Sequence, residues 1–191
     1  QLSYGRGIRI ILDLVCNHVS DHHPIFLEAL ANPRSPYRDW FSFDDSAVGY
    51  RSFFGVRSMP QLNLANPEAR AWMTDIARYW LREFEVDGYR LDHANGPGPS
   101  YWSEFWAACK AEKPDCFCFG EIVEPVDVVR RYAGPLDGSL DFILADSIRR
   151  AFGDRQSPPA SFDQFLQQHL SHFDPDFLAL MRRHNVAVVI A

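Results

Sequence analysis

Apolar and polar positions follow two patterns along the chain, and together they predict a succession of strands and helices. Residues 8–15 form an almost continuous apolar run, as expected of a strand that is covered on both faces of a sheet. Further strands are predicted at 86–92, 116–123, 140–144 and 185–191. Because helix-like segments separate these strands, we expect βα units, a parallel sheet and an α/β fold.

The longest predicted helix follows Asn66, where an amide N-cap, a proline and an acid stand in a row. Its apolar residues recur at helical spacing, as Trp72, Ile76, Trp80 and Phe84. Ser100 is predicted to cap the next helix, whose core stripe consists of Trp102, Phe105, Trp106 and Cys109. Shorter helices are predicted at 126–132, 145–152 and from 161 or 163 to 170.

Residues 18–65 lie between the first strand and the long helix and contain prolines, aspartates and many aromatic side chains. This segment is too long for an ordinary connection, and insertions of this size usually carry function. We therefore divide the chain into a barrel part, 1–17 and 66–191, and a small inserted lobe, 18–65.

Length and charge narrow the class of protein. The chain has 191 residues, fewer than the roughly 250 of a complete eight-stranded β/α barrel. Its opening Gln-Leu-Ser-Tyr-Gly-Arg-Gly is typical of a helix end, so we expect the natural domain to begin further upstream.

The net charge of -6 offers no basic face for nucleic acid, and no apolar stretch approaches the length of a membrane span. We expect a soluble protein.

The cysteine pattern favours buried thiols over a metal site. The chain has four cysteines and no CxxC pair. Cys116 and Cys118 alternate with phenylalanines as buried strand residues do, and Cys16 and Cys109 are also expected to be free. Free thiols favour a reducing compartment such as the cytoplasm. The His22-His23 pair lacks spaced partners for zinc, so we expect it at the surface of a loop.

Side chains capable of chemistry stand where three of the predicted strands end. The first strand ends in Asp13, Asn17 and His18, the second in Arg90 and Asp92, and the third in Glu121. In a barrel of parallel strands these ends open onto one face, where active sites are built. Asp13 and His18 could bind hydroxyl groups of a ligand, and the Asn17 amide oxygen could contribute to a calcium site.

The carboxyl groups of Asp92 and Glu121 are predicted to have different environments. Arg90 and Asp92 are two residues apart on one strand, so the guanidinium favours the ionised carboxylate, although this pair could also be purely structural. Apolar neighbours of Glu121 favour its protonated form, which can act as a general acid. Glycoside cleavage needs such a pair of carboxyl groups. The aromatic rings of the inserted lobe could stack on sugars, or they could form the lobe's own core.

Four segments in order resemble signature regions of the alpha-amylase family of glycoside hydrolases. They are Asp13-Leu-Val-Cys-Asn17-His18, Met59-Pro-Gln-Leu-Asn63, Gly88-Tyr-Arg90-Leu-Asp92 and Gly120-Glu121. The second of them is similar to the form found near neopullulanases and cyclomaltodextrinases. The resemblance runs from about Tyr4 to at least Phe173 and implies a partial (β/α)8 TIM barrel, about strands 3 to 7, with the lobe inserted after strand 3.

The family also implies a mechanism and site residues. It implies retaining cleavage of α-glucosidic bonds in starch-like substrates, with no required cofactor. Asp92 would be the nucleophile, Glu121 the acid/base and Arg90 the residue that orients Asp92. Asp13 and His18 would bind the sugar, and His93, which follows the nucleophile, could line the same site. The lobe motif would also be compatible with a homodimer.

The sequence departs from the family pattern in one respect that keeps other functions open. The fourth signature region, a His-Asp pair, is missing, as are the first two barrel strands and the eighth. One alternative to a hydrolase is therefore a catalytically incomplete fragment or a carbohydrate-binding member of the fold. A second alternative is an enzyme that transfers the glycosyl group to another sugar. A metal-dependent isomerase or an aldolase is less favoured, because the two lysines, Lys110 and Lys113, lie near a helix end.

Overall fold

The structure is a computed structural model that describes residues 7–173. Its centre is a parallel sheet of four strands in the order β1-β2-β3-β4. The strands are β1 (Ile11–Val15), β2 (Gly88–Asp92), β3 (Phe117–Gly120) and β4 (Gly138–Ser139). Strands that follow one another in the chain are neighbours in the sheet, with helices between them, so the sheet is the wall of a partial β/α barrel and the predicted fold class is confirmed.

Six α-helices lie within residues 7–173: α1 (Pro24–Ala31), α2 (Pro67–Phe84), α3 (Pro99–Glu112), α4 (Val126–Val129), α5 (Phe142–Ile148) and α6 (Pro159–Leu170). Short 3-10 helices occur at Arg38–Trp40, Phe53–Gly55 and Arg130–Tyr132, and a π-helical turn, Arg149–Gly153, extends α5. No helix in this part of the chain is both long and apolar enough to cross a membrane.

The predicted start of α2 is confirmed in atomic detail. The Asn66 side-chain oxygen accepts hydrogen bonds from the backbone N–H groups of Glu68 and Ala69, at 2.9 and 3.1 Å. The apolar stripe that predicted the helix flanks the most deeply buried face, and Phe84 at its end is exposed. The buried face consists of Ala69, Met73, Ala77 and Leu81, which recur every fourth residue and so line one side of the helix.

Two predicted boundaries are wrong. Residues 140–144 were expected to be a strand, but β4 ends at Ser139 and Asp141 caps α5 by accepting a hydrogen bond from the Leu144 N–H, at 2.9 Å. A short apolar run fits a buried strand and a helix equally well. Ser100 does not cap α3, which begins at Pro99 after Gly98, whose φ of 84° is left-handed. The strand expected at 185–191 lies outside the described residues.

The core between the sheet and the helices contains the predicted stripe of α3. Trp102, Phe105 and Cys109 are fully buried, and the Trp102 indole N–H donates to the Ala94 carbonyl at 2.6 Å. All four cysteines are buried and free, as predicted. The partly buried Trp106 contacts the same core through its ring.

One buried carboxylate, Asp87, binds two cations at the end of the sheet where the strands begin. The Asp87 side chain is 3% exposed and lies 2.6 Å from the Lys113 ammonium and 2.9 Å from the Arg9 guanidinium. Its second oxygen accepts a hydrogen bond from the Ile10 N–H at 2.8 Å. Burial raises the pKa of Asp87, but these bonds outweigh burial and hold its pKa below the usual value.

The segment between β1 and α2 forms a small aromatic cluster of its own. The buried Phe26 ring on α1 packs against the rings of Phe41 and Tyr50, with centroid distances of 5.0 and 4.8 Å. The Arg38 guanidinium lies over the Phe43 ring, 3.3 Å from its centroid. Most aromatic side chains of the lobe therefore serve its core, whereas Phe53 and Phe54 lie beside the strand ends.

Candidate active site

One guanidinium joins three carboxylates at the end of the sheet where the strands finish. An Arg90 terminal nitrogen, Nη1, lies 2.7 Å from Asp13 Oδ1 and 2.7 Å from Asp92 Oδ1. Its other terminal nitrogen, Nη2, lies 2.7 Å from Glu121 Oε2. The structure thus brings together four residues that the sequence placed on three separate strand ends.

The parallel register explains why these side chains meet. Asp13 pairs with Arg90 across β1 and β2, and Val15 pairs with Asp92. Side chains two residues apart on a strand share a face, so Asp13, Arg90 and Asp92 all point to the inner side of the sheet. Glu121 follows the last residue of β3 and reaches the same side.

Backbone hydrogen bonds hold Glu121 against the end of β2. The Glu121 N–H donates to the Leu91 carbonyl, and the Ala94 N–H donates to the Glu121 carbonyl, each at 2.9 Å. The His93 N–H lies 3.4 Å from Glu121 Oε2. His93 has a φ of 43°, a left-handed conformation that few non-glycine residues adopt. Asp92 and Glu121 are therefore positioned by a shared, tightly bonded turn.

The four charged groups remain accessible to a ligand. The side chains of Arg90, Asp92 and Glu121 are 24%, 24% and 25% exposed, and that of Asp13 is 62% exposed. Partial burial lowers the pKa of Arg90, but hydrogen bonds to Asp13 and Asp92 outweigh it, and the net pKa is raised. The guanidinium is therefore a permanent positive charge among the carboxylates.

Two histidines and two phenylalanines form a ring cluster beside the carboxylates. Phe53 stacks on His18 with a centroid distance of 4.7 Å and meets His93 edge-on at 4.6 Å. Phe54 also contacts His93 at 5.5 Å and is 81% exposed. Burial lowers the pKa of His18, nearby His93 adds to this effect and Asp92 opposes it. Burial therefore favours the neutral imidazole of His18 over its charged form.

Asn17, the candidate calcium ligand, is buried at 2% exposure below this cluster. Its Oδ1 already accepts a hydrogen bond from the Gln61 Nε2 at 3.1 Å. Calcium prefers six to eight oxygen ligands. Within residues 7–173 no group of three or more His, Cys, Asp or Glu side chains could hold a metal ion. The calcium site stays a prediction, with no described contact in its favour.

Other candidate residues lie away from the site. Lys110 and Lys113 contact Asp137 and Asp87 at the opposite end of the sheet, where no Schiff base could form with a ligand at Asp92. His22 is exposed as predicted, but His23 is not a plain surface residue. It caps α1 by accepting a hydrogen bond from the Ile25 N–H at 3.3 Å.

Sequence reasoning did not single out Gln61, and it treated the aromatic residues of the lobe, which include Phe53 and Phe54, as one group. Gln61 lies inside the Met59–Asn63 motif, so the motif itself was the available signal. Nothing in the local sequence distinguishes Phe53 from the rings that form the lobe core.

Comparison with known proteins relates this chain to glycosidases. The family model of the alpha-amylase catalytic domain matches residues 3–174. Alpha-amylase 2 of Dictyoglomus thermophilum is 49% identical over 150 residues, 78% of this chain and 26% of that protein. The cyclomaltodextrinase of Geobacillus thermopakistaniensis is 36% identical over 180 residues, 90% of this chain and 30% of that protein. The chain therefore spans about a quarter to a third of these curated relatives.

Solved structures show the same fold. The ligand-free cyclic alpha-maltosyl-(1→6)-maltose hydrolase from Arthrobacter globiformis superimposes with a TM-score of 0.82 at 29% identity, covering 91% of this chain and 41% of that chain. A cyclomaltodextrinase superimposes with a TM-score of 0.83 at 28% identity, covering 90% and 31%. Both similarities cover nine-tenths or more of this chain.

Proposed function

Because the chain belongs to the alpha-amylase family of glycoside hydrolases, we propose that its strand-end carboxylates cleave α-glucosidic bonds with retention of configuration. The observation that carries this proposal is the contact of Arg90 with both Asp92 and Glu121. The two carboxylates contact the two terminal nitrogens of the planar Arg90 guanidinium, so they are held close together. A retaining mechanism needs a separation of about 5 to 5.5 Å, which this arrangement can accommodate.

In the proposed first step, Asp92 attacks the anomeric carbon while Glu121 protonates the departing glycosidic oxygen. The bond from carbon to that oxygen breaks, and an ester between the sugar and Asp92 forms. In the second step Glu121 takes a proton from water, which attacks the same carbon and releases Asp92. Glu121 must carry a proton before the first step, and its Oε1 can hold that proton while Oε2 accepts from Arg90.

The neighbouring residues suit sugar binding. Asp13 is the most exposed of the three carboxylates and can accept hydrogen bonds from hydroxyl groups. We propose that His18 and His93 also bind hydroxyls, and that the rings of Phe53 and Phe54 pack on the apolar faces of sugar residues. The site requires no cofactor for this chemistry.

The names of the relatives support a substrate class for the proposed reaction. Their names include an alpha-amylase, a cyclomaltodextrinase and a hydrolase of a cyclic maltosyl-maltose. We infer that the substrate here is a starch-like glucan or a maltooligosaccharide. Transfer of the sugar from Asp92 to another sugar, in place of water, uses the same intermediate.

The homodimer that the lobe motif would allow stays a prediction. Sedimentation equilibrium measures the mass of the protein in solution and so tests it.

A second candidate function is carbohydrate binding without turnover. Its basis is the row of exposed or partly exposed polar and aromatic side chains at the strand ends, which suits sugar binding with or without turnover. An intact pair of carboxylates on one guanidinium argues against it, since binding alone does not require a nucleophile beside an acid.

Turnover by variants separates the two functions. Reducing-sugar release from maltooligosaccharides, pullulan and cyclodextrins is measured for the wild type, Asp92→Asn and Glu121→Gln, with Asp45→Asn on the exposed lobe surface as the matched control. A hydrolase loses turnover by at least about a thousandfold in the two site variants and not in the control, with unchanged melting. A wild type that binds maltotriose but releases no sugar would establish the binding function instead.

A further inference from the structure

The Asn17 amide lies between two other side chains of different segments. Its Oδ1 accepts a hydrogen bond from Gln61 Nε2 at 3.1 Å, and its Nδ2 lies 3.3 Å from His18 Nδ1. Asn17 is 2% exposed, so water cannot replace these partners at little cost. These contacts connect the three side chains in series, from Gln61 near the end of the lobe to the His18 imidazole.

The orientations of the Gln61 and Asn17 amides set the direction of each bond. An amide NH2 only donates and an amide oxygen only accepts. Since Gln61 Nε2 donates to Asn17, the oxygen of Asn17 must face Gln61, and its NH2 must face His18. A flipped Asn17 would place two NH2 groups against each other. His18 Nδ1 therefore has to accept, and the ring proton has to reside on Nε2.

Close packing keeps the amide in this place. A Cβ atom added to Gly96 would lie 2.2 Å from Asn17 Oδ1, so only glycine leaves room for the amide there. The Leu62 N–H donates to the Asn17 carbonyl at 3.0 Å, and the Val19 N–H donates to the Pro60 carbonyl at 3.0 Å. On its other side, the His18 ring is stacked on Phe53. The imidazole has little freedom to rotate out of this arrangement.

We propose that Gln61 and Asn17 form a hydrogen-bond relay that fixes His18 as its Nε2–H tautomer, so that His18 presents a donor to the site. Asn17 is then a positioning residue that acts through His18. The role of that donor in holding a sugar hydroxyl rests on the proposed function, whereas the tautomer itself does not.

The experiment reads the tautomer directly from the ring nitrogens. Protein labelled with ¹⁵N-histidine is studied by long-range ¹H–¹⁵N correlation at pH 8, and the His18 signals are assigned with His18→Gln. The wild type should show a protonated Nε2 and an unprotonated Nδ1. In Asn17→Asp a carboxylate oxygen faces Nδ1 and can only accept, so the proton should move to Nδ1 in most molecules. Asn63→Asp, the same substitution at a nearby lobe residue, should leave His18 unchanged.

A second variant keeps the proposal testable if Asn17→Asp fails to fold. In Gln61→Glu the side chain accepts from Asn17, which reverses the amide and should also move the proton to Nδ1. A wild type with the proton on Nδ1, or variants that melt as the wild type does and keep the proton on Nε2, would overturn the relay. Loss of the donor should also weaken maltotriose binding about tenfold. Turnover is not needed for the tautomer measurement, so failure of the relay and failure of the proposed hydrolase are distinguishable.

Discussion

Arg90 Nη2 lies 2.7 Å from Glu121 Oε2, although the two residues come from different strand ends and Asp92 is the carboxylate on the strand of Arg90. This contact makes Arg90 a bridge between the proposed nucleophile and the proposed acid/base. Three carboxylates around one guanidinium would repel one another without it. Arg90 therefore sets both the spacing and the charge balance of the site.

Replacing Arg90 should affect both stability and activity. Arg90→Met leaves Asp13, Asp92 and Glu121 without a counter-ion, and we expect the free energy of unfolding to fall by about 1–3 kcal/mol. Turnover should fall by more than about a hundredfold, because the carboxylates are no longer positioned. Urea unfolding and reducing-sugar assays measure the two effects. The control is Arg82→Met, which removes an exposed pair with Glu83 and should change stability by less than about 0.5 kcal/mol.

Asp87 should link stability to acid pH. Its pKa is held below the ordinary value of 3.8 in the folded state, so the unfolded chain binds the proton first as the pH falls. The stability that Asp87 contributes is thus complete above about pH 5 and is lost as the pH falls below 4. Urea unfolding at pH 6, 4 and 3 tests this for the wild type and Asp87→Asn. The variant should lose about 1–3 kcal/mol at pH 6 and show a flatter decline; equal slopes would contradict the account.

Gly96 should tolerate no larger side chain. Gly96→Ala places a methyl group 2.2 Å from Asn17 Oδ1 and 2.9 Å from the His93 ring, and we expect a loss of about 1–3 kcal/mol. Gly153→Ala is the matched control, since its nearest neighbour would be Arg149 Cγ at 3.7 Å. Thermal melting compares the two. Equal melting temperatures would show that the contact with Asn17 relaxes freely.

The four thiols should be inert while the protein is folded. Burial raises the pKa of Cys16 to about 12, and Cys109, Cys116 and Cys118 are equally inaccessible to reagent. Reaction with Ellman's reagent at pH 8 should therefore follow unfolding, and all thiols should react promptly in denaturant. Rapid modification of one thiol in the native protein would show that its segment opens locally.

The sequence predicts the sheet and the carboxylate cluster because both depend on local patterns. Apolar runs ending in Asp13, Asp92 and Glu121 mark strand ends, and parallel strands bring those ends together. Strand 140–144 was misplaced because residues 142–148 are apolar enough for either structure and the aspartate cap decides for a helix. Local pattern could not resolve that choice.

Contacts between distant segments escaped prediction for a different reason. The pairing of Gln61 with Asn17 spans 44 positions, and that of Arg90 with Glu121 depends on the register of two strands. Asn17 is a candidate calcium ligand by residue type and stays a prediction, while the structure shows that its amide oxygen has a protein partner in Gln61.

The most direct test of the account is to trap the proposed ester on Asp92. The protein is incubated with 5-fluoro-α-glucosyl fluoride, digested, and mapped by mass spectrometry, with Asp92→Asn in parallel. The account predicts a single fluoroglucosyl group on Asp92 in the wild type and none in the variant. A label on another residue, or no label on a protein that binds maltotriose, would contradict a retaining mechanism with Asp92 as its nucleophile.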